Sequence, residues 1–564
     1  MTVILRIAAL LVAGIAAVAR PAAAKDELVI GMTQYPSSFN PNIGAMLAKT
    51  LVEGMTFRPI TAWDPDWKLV CLLCTQLPTL ENGGAVIEEY APGKKGIAVT
   101  YTLRPDLKWG DGTPVTTKDV AFTMEVGKHP QSGIAAAEGY RRILKLDIKD
   151  DRTFTFHVDR VTFDYNATGD FRLLPAHVDR PVFEANPADY RNKSKYETDT
   201  TNPALWFGPY RVAKTVPGAS VELERNPTWG GKAPYFKRIT FRIIENTAAL
   251  EANLLSGSID YVIGELGLSL DQALAFEKRH KDRFNVVYKP GLVYEHIDIR
   301  MDNPILADRR VRLALMLGID REAISSRLFE GKQPVAHSNT NPLDPMYSPG
   351  AKHYAYDAVA ARKLLDDAGF SDIRGGIRYN AKGEKLSFEL ITTAGNRNRE
   401  QIQQVLQSQW KQLGIDVRLK IEPPRVFFGE TVHKRAYSGL AMYAWVSSPQ
   451  SVPRTTLHSQ EIPSEANGWS GQNSGGYKSP EMDRTLDAME VELDVDKRKA
   501  LFGEMQRIYT EDLPVLPLYF RSDVFVLPKA LKGVRPTGHQ FVSTLWVEDW
   551  RWDPDGKDQG TGIR

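Results

Sequence analysis

The chain has 564 residues, a length at which one hydrophobic core has stopped growing, so two or more packed units are expected. Hydrophobic residues at 42% and charged residues at 25% are ordinary for folded protein and exclude disordered and fibrous classes. A formal net charge of +2 leaves neither the basic footprint of a nucleic-acid binder nor a polybasic membrane patch.

The N-terminus reads as a signal peptide over residues 1–24. Arg6 supplies the positive region, Ile7 to Ala19 the apolar region, and Ala22-Ala23-Ala24 a small-residue cleavage site. The apolar run is short for a membrane span, and no Cys stands at the cleavage site to carry a lipid. The protein is therefore expected in a periplasm, exported by a cleavable signal and not lipid-anchored. A short strand follows at Glu27 to Gly31.

The only two cysteines are Cys71 and Cys74, spaced C-x-x-C. In an oxidising compartment a local disulfide is the leading reading. A redox pair would want a thioredoxin-like βαβ setting, and a structural zinc would want a second Cys/His pair. Two free buried thiols remain the other alternative.

Thr116 with Asp119 has the spacing of a capping box. Asp308 and Asp320 stand as N-caps, with Gly318 and Gly331 as stop signals. Ile402, Val405, Leu406, Trp410 and Leu413 share one helical face; Gly414 ends that helix and Ile415 to Ile421 alternates as a strand. This helix–Gly–strand unit belongs to an α/β domain with a mixed or parallel sheet. From Trp552 the chain turns polar and Gly-rich and reads as a loose tail.

No catalytic constellation emerges. There is no G-x-S-x-G elbow, H-E-x-x-H, P-loop or dinucleotide fingerprint, and the ten histidines lie singly. Trp206, Tyr210, Tyr294, Tyr443, Trp445 and Trp469 fall beside Gly, Pro, Ser or Asn rather than in apolar runs. Two readings stand for these rings: packing at the edge of a core, or the walls of a cleft for a small polar ligand.

Five segments in fixed order carry a family resemblance. They are Tyr101 to Pro114 with Lys118 to Phe122; Gly208-Pro-Tyr210 with Pro217-Gly218 and Glu224 to Pro227; Leu250 to Asp260; Asp308 to Ala314 with Gly318 to Arg321; and Gly475 to Tyr477, Met482-Asp483 and Glu511 to Tyr519. Together they resemble the family 5 extracellular solute-binding proteins of ABC importers, the dipeptide/oligopeptide-binding group. Locally, Asp111-Gly112-Thr113-Pro114 is a turn sequence, Arg104 reads as one half of an ion pair, and Pro514 and Pro517 suit an edge or a crossover strand.

The resemblance implies an α/β, two-lobed periplasmic-binding-protein fold of type II, with an extra subdomain inserted in the first lobe. Lobe I would comprise residues 25–55, 205–291 and 511–550; the insertion 56–204; lobe II 292–510; and a flexible tail 551–564. Crossover strands near Gly291 to Asp298 and Leu513 to Tyr519 would form the hinge. Ligand held between the lobes favours the closed form, because closure completes contacts that neither lobe offers alone.

The implied function is the substrate-binding component of an ABC transporter. It would capture a peptide or peptide-like solute and deliver it to permease subunits in the inner membrane, as a monomer without cofactor, metal or catalytic residue. The alternatives are a periplasmic hydrolase of peptide or glycan, and a receptor for an opine- or sugar-conjugate-type ligand.

In peptide-binding relatives the loop after a Y/G-x-W strand carries an Asp for the ligand ammonium. Here the matching stretch, Tyr443-Ala-Trp445-Val-Ser-Ser-Pro449, holds Ser447 or Ser448 at that place. A serine cannot neutralise a desolvated ammonium. The candidate contacts are Thr33, Gln34, Tyr35 and Ser38 after the first strand, Trp206 and Phe207, and Tyr294 and His296 on the crossover. From the other lobe come Arg397, Asn398, Tyr443, Trp445, Ser447, Ser448, Trp469 and Asn473. Arg397 could fork onto a carboxylate or phosphate.

Overall fold

The computed structural model describes residues 25–43, 46–134, 137–423, 426–467 and 471–554. The segment read as a signal peptide lies outside the described residues. Among those described, no helix is long and apolar enough to cross a membrane.

In chain order the principal strands are β1 (Glu27–Met32), β2 (Ala85–Ala91), β3 (Lys94–Thr102), β4 (Ile143–Ile148), β5 (Thr153–Val158), β6 (Tyr210–Val216) and β7 (Ser220–Arg225). There follow β8 (Arg238–Ile243), β9 (Tyr261–Val262), β10 (Phe284–Ile299), β11 (Ser387–Thr393), β12 (Asp416–Glu422), β13 (Leu440–Val446) and β14 (Val515–Pro528). Ten of them form one sheet in the order β12-β11-β13-β10-β14-β9-β1-β8-β7-β6.

The two long central strands define the architecture. β10 and β14 run antiparallel from the pair Phe284/Pro528 to the pair Asp298/Val515. On one flank lie β9, β1, β8, β7 and β6, and on the other β13, β11 and β12. The ladder slips between Pro290 and Tyr294 and again between Glu295 and His296, where Pro517 pairs with His296. Proline has no N–H to give a ladder, so breaks beside Pro290 and Pro517 are where a crossover can bend.

The first flank and the residues between β1 and β6 share one core, from Leu28 through Phe241 to Trp550. Within it the small sheet β2-β3-β5-β4 packs Tyr101, Phe154 and Phe156 against Phe171, with rings of Phe156 and Phe171 centred 4.9 Å apart. The Asp111 turn is locally made: Asp111 Oδ1 accepts from the Thr113 amide at 2.9 Å, and Gly112 holds φ +93°. Helix α1 (Thr117–Lys128) begins with a capping box of Thr116 and Asp119. Arg104 pairs with Asp106. Cys71 and Cys74 are bridged, their Cα atoms 5.4 Å apart.

On the other flank α2 (Arg309–Leu317) and α3 (Arg321–Phe329) are capped by Asp308 and Asp320. Helix α4 (Arg397–Lys411) buries Ile402, Leu406 and Trp410 against the sheet. Gly414, at φ +84°, turns the chain into β12, which pairs parallel with β11. Helices α5 (Pro480–Val491) and α6 (Val495–Asp512) close this unit around Met482, Leu486, Phe502 and Met505.

The segment read as a tail begins inside the fold. Arg551 and Trp552 pair with Lys532 and Leu531, and the Asp553 amide donates to the Ala530 carbonyl at 2.7 Å. Residues 555–564 lie outside the described residues.

Candidate functional site

Beyond the register break at Pro290, the alternation of β10 presents Tyr294, His296 and Asp298 on one face, i, i+2, i+4. β13 lies antiparallel beside it, with Trp445 opposite Tyr294 and Tyr443 opposite His296. Directly opposed residues bring their side chains together. The His296 ring stacks on Tyr294 with centroids 5.0 Å apart and meets Tyr443 edge-on at 4.5 Å. The Tyr443 hydroxyl donates to Asp298 Oδ2 at 2.6 Å, and His296 Nε2 stands 3.4 Å from Asp298 Oδ1. The hydroxyls of Tyr294 and Tyr509 meet at 2.5 Å.

These side chains form one wall of a cavity that opens to solvent. The loop after β13 supplies Ser447, Ser448 and Ser451, and the loop that follows α3 supplies Asn339, Thr340, Asn341 and Asp344. Asp344 ties these loops together: its carboxylate accepts from the Met346 amide at 2.9 Å and the Gln450 amide at 2.8 Å. Asn341 Nδ2 donates to the Gly291 carbonyl at 2.6 Å. The floor holds Asn473, which donates to the carbonyls of His458 and Tyr477.

Burial dominates the electrostatics. It pushes the hydroxyls of Tyr294 and Tyr443 well above the ordinary tyrosine value, and the Asp298 carboxylate adds to that. Burial also raises Asp344, against the two amides that favour its ionised form. Among the described residues no Lys or Arg lines the cavity. Nor is any group of three or more described His, Cys, Asp or Glu residues placed to hold a metal ion.

The opposite face of β10 is different. Glu295 is fully buried there, 2.5 Å from Arg399 Nε and 2.6 Å from Arg521 Nη2. Burial pushes this carboxyl up, but the guanidiniums of Arg521 and Arg399 outweigh it and hold Glu295 below its ordinary value.

Ser448, Ser451 and Val452 also border a second space of about 1100 Å³. Its far side holds Thr61, Arg142, Arg160, Asp164 and Asp170, together with Gln540 and Phe541. Contacts bridge this gap: the Phe163 amide donates to the Glu490 carbonyl at 3.3 Å, and the Arg498 guanidinium lies 4.7 Å from the Phe163 ring centre. Gln540 Nε2 donates to Ser448 Oγ at 3.3 Å.

Of the residues singled out from sequence, Tyr294, His296, Tyr443, Trp445, Ser447, Ser448 and Asn473 line the first cavity. The other described candidates do not reach it. Trp206 and Phe207 are core residues, 0% and 1% exposed, packed edge-on against Phe57. The aromatic–Gly context fits both a cleft and a core edge, and here tight packing at Gly208 makes it core. Thr33 donates its amide to the Leu266 carbonyl, Ser38 donates to Glu197, Tyr35 packs beside Phe39, and Gln34 is exposed. Arg397 is exposed on the first turn of α4, with Asn398 half-buried beside it. Their neighbour Arg399 is the one drawn inward, to Glu295. Trp469 lies outside the described residues.

Asp298 and Asp344 escaped the sequence reading. The i, i+2, i+4 run from Tyr294 was a usable signal for Asp298. Asp344 sits in a Gly/Pro-rich loop whose role depends on Gln450, 106 residues away, so no local pattern marks it.

Residues 84–464 match the family described as "Bacterial extracellular solute-binding proteins, family 5 Middle". The chain belongs to that family of extracellular solute-binding proteins. Oligopeptide-binding protein AppA of Bacillus subtilis (strain 168) is 24% identical over 522 residues, covering 90% of this chain and 89% of that protein. Oligopeptide-binding protein OppA of Mycobacterium tuberculosis (strain ATCC 25618 / H37Rv) is 26% identical over 542 residues, covering 92% and 84%. Among solved structures, the oligopeptide-binding protein from Thermus thermophilus complexed with pentapeptide has a TM-score of 0.69 at 30% identity, covering 96% of this chain and 98% of that one.

Proposed function

We propose that this chain is the periplasmic substrate-binding component of an ABC importer, which captures a peptide or peptide-like solute and hands it to permease subunits in the inner membrane. The observation that carries the reading is the cavity at the hinge: strands β10 and β14 cross between two flanks of the sheet, and the rings and amides of the cavity sit where they do so. A guest bound there and touched from across the neighbouring gap favours approach of the two sides.

Lobe I is assigned to residues 25–55, 205–291 and 511–550, the insertion to 56–204 and lobe II to 292–510. The peptide class is supported by relatives named for oligopeptide binding along most of the chain. A hydrolase is not favoured, because those relatives are named as binding proteins. The exported, unanchored monomer of the sequence reading belongs to the same proposal.

Native mass spectrometry of protein purified from its own host tests the reading, together with small-angle scattering before and after removal of the guest. A co-purified peptide-like mass and a more compact bound form are expected. A guest of unrelated chemistry, or steady conversion of the guest to products, would overturn it.

A further inference from the structure

We infer that Asp298 selects the guest by pairing with a cationic nitrogen, an ammonium or a guanidinium, presented against the aromatic wall of the hinge cavity. This rests on the proposed function of that cavity and says which part of a peptide-like guest enters first.

Asp298 is 6% exposed, and its side chain faces the cavity. Oδ2 is held by the Tyr443 hydroxyl at 2.6 Å. Among the described residues, the neighbour of Oδ1 is His296 Nε2 at 3.4 Å, too long for a good hydrogen bond. A buried carboxylate with unused acceptor capacity, and no described Lys or Arg in the surrounding wall, wants a positive partner. Asp344, the cavity's other acid, does not share this need, since backbone amides already occupy both of its oxygens.

The neighbouring surfaces favour the same chemistry. Tyr443, Trp445 and Tyr509 line the same cavity as Asp298, while the face of Tyr294 is taken by the stacked His296 ring. Ring faces attract cations and do so more strongly where water is excluded. An anionic group brought here would meet a carboxylate and aromatic faces, with no guanidinium or ammonium of the described wall to receive it. Ser447 and Ser448 then serve the neutral remainder of the guest.

The test uses the purified full chain and one mixed pool of short synthetic peptides. The pool carries free or acetylated N-termini in equal amounts, each with and without Lys and Arg, and retained species are identified by mass spectrometry. Species bearing an ammonium or guanidinium should be enriched by at least about tenfold over species bearing neither. In Asp298→Asn, which keeps the shape and a partner for Tyr443, that enrichment should fall below about threefold at an unchanged melting temperature. Equal retention of charged and uncharged species by the wild type would overturn the inference alone, whatever the variant does. Undiminished enrichment in a folded Asp298→Asn would remove Asp298 from the role. Retention of no peptide at all would overturn the peptide reading and this inference with it.

Discussion

Glu295 and Arg399 pair at 2.5 Å on the face of β10 that turns away from the cavity, with Arg521 completing the group. The same strand thus carries a buried ionic clamp on one side and the cavity-facing rings on the other. Removing one partner of a buried pair strands the remaining charges. Glu295→Gln is therefore expected to lower stability by about 3 kcal/mol, read from denaturant unfolding of the region around the hinge.

The clamp also sets an acid limit. Glu295 is held below its ordinary value in the fold, so its contribution is present above the unfolded carboxyl value, about 4.3, and is lost as pH falls through the lower folded value. Wild-type melting temperature should drop more steeply than that of Glu295→Gln on acidification below about pH 4.3, the two curves converging. Parallel curves would show that Glu295 does not titrate with unfolding.

Trp445 is half-buried, standing opposite Tyr294 at the cavity wall. Trp445→Ala should weaken binding of a retained peptide at least about tenfold by calorimetry, with a shift of only a few degrees in the melting temperature of the empty protein. Unaltered affinity would take the ring out of the site.

Arg498 lies over Phe163 across the gap between the insertion and helix α6. Such a contact is worth roughly 0.5–1 kcal/mol where water reaches it. Phe163→Ala is expected to weaken guest binding by about two- to fivefold while leaving unfolding nearly unchanged. A loss confined to stability would mean that the contact does not depend on approach of the two sides.

Gly208, in the Gly-Pro-Tyr stretch, has no room for a side chain: a Cβ there would stand 2.5 Å from the Thr56 carbonyl carbon. Backbone cannot swing aside as a long side chain does. Gly208→Ala should cost about 1–3 kcal/mol, seen as a lower denaturation midpoint with guest affinity retained in the folded fraction.

Much of the scaffold was legible because its signals are local. Thr116 and Asp119 lie three residues apart, Asp111 bonds an amide two residues on, and Ile402, Leu406 and Trp410 repeat at helical spacing. Tyr294, Tyr443 and Trp445 stood out in the sequence as rings beside small or polar residues, and His296 through the crossover that the family resemblance implies; all four line the cavity. The first-strand loop was not, since Ser38 is engaged by Glu197, 159 residues away, and only the fold reveals that the hydroxyl is taken. Trp206 and Phe207 before Gly208 show the limit of aromatic residues near glycine: the same stretch serves a wall or a core, and a deciding neighbour of both, Phe57, is remote in sequence. Arg397 stands exposed on the first turn of α4, while its neighbour Arg399 turns inward to Glu295, on the face away from the cavity.

Ser448, Ser451 and Val452 belong to the walls of both the hinge cavity and the neighbouring gap. On the proposed reading, a molecule anchored at Asp298 would lead its far end through this shared border toward Arg142 and Arg160, so that the neighbouring gap rather than the pocket would set the length of cargo accepted.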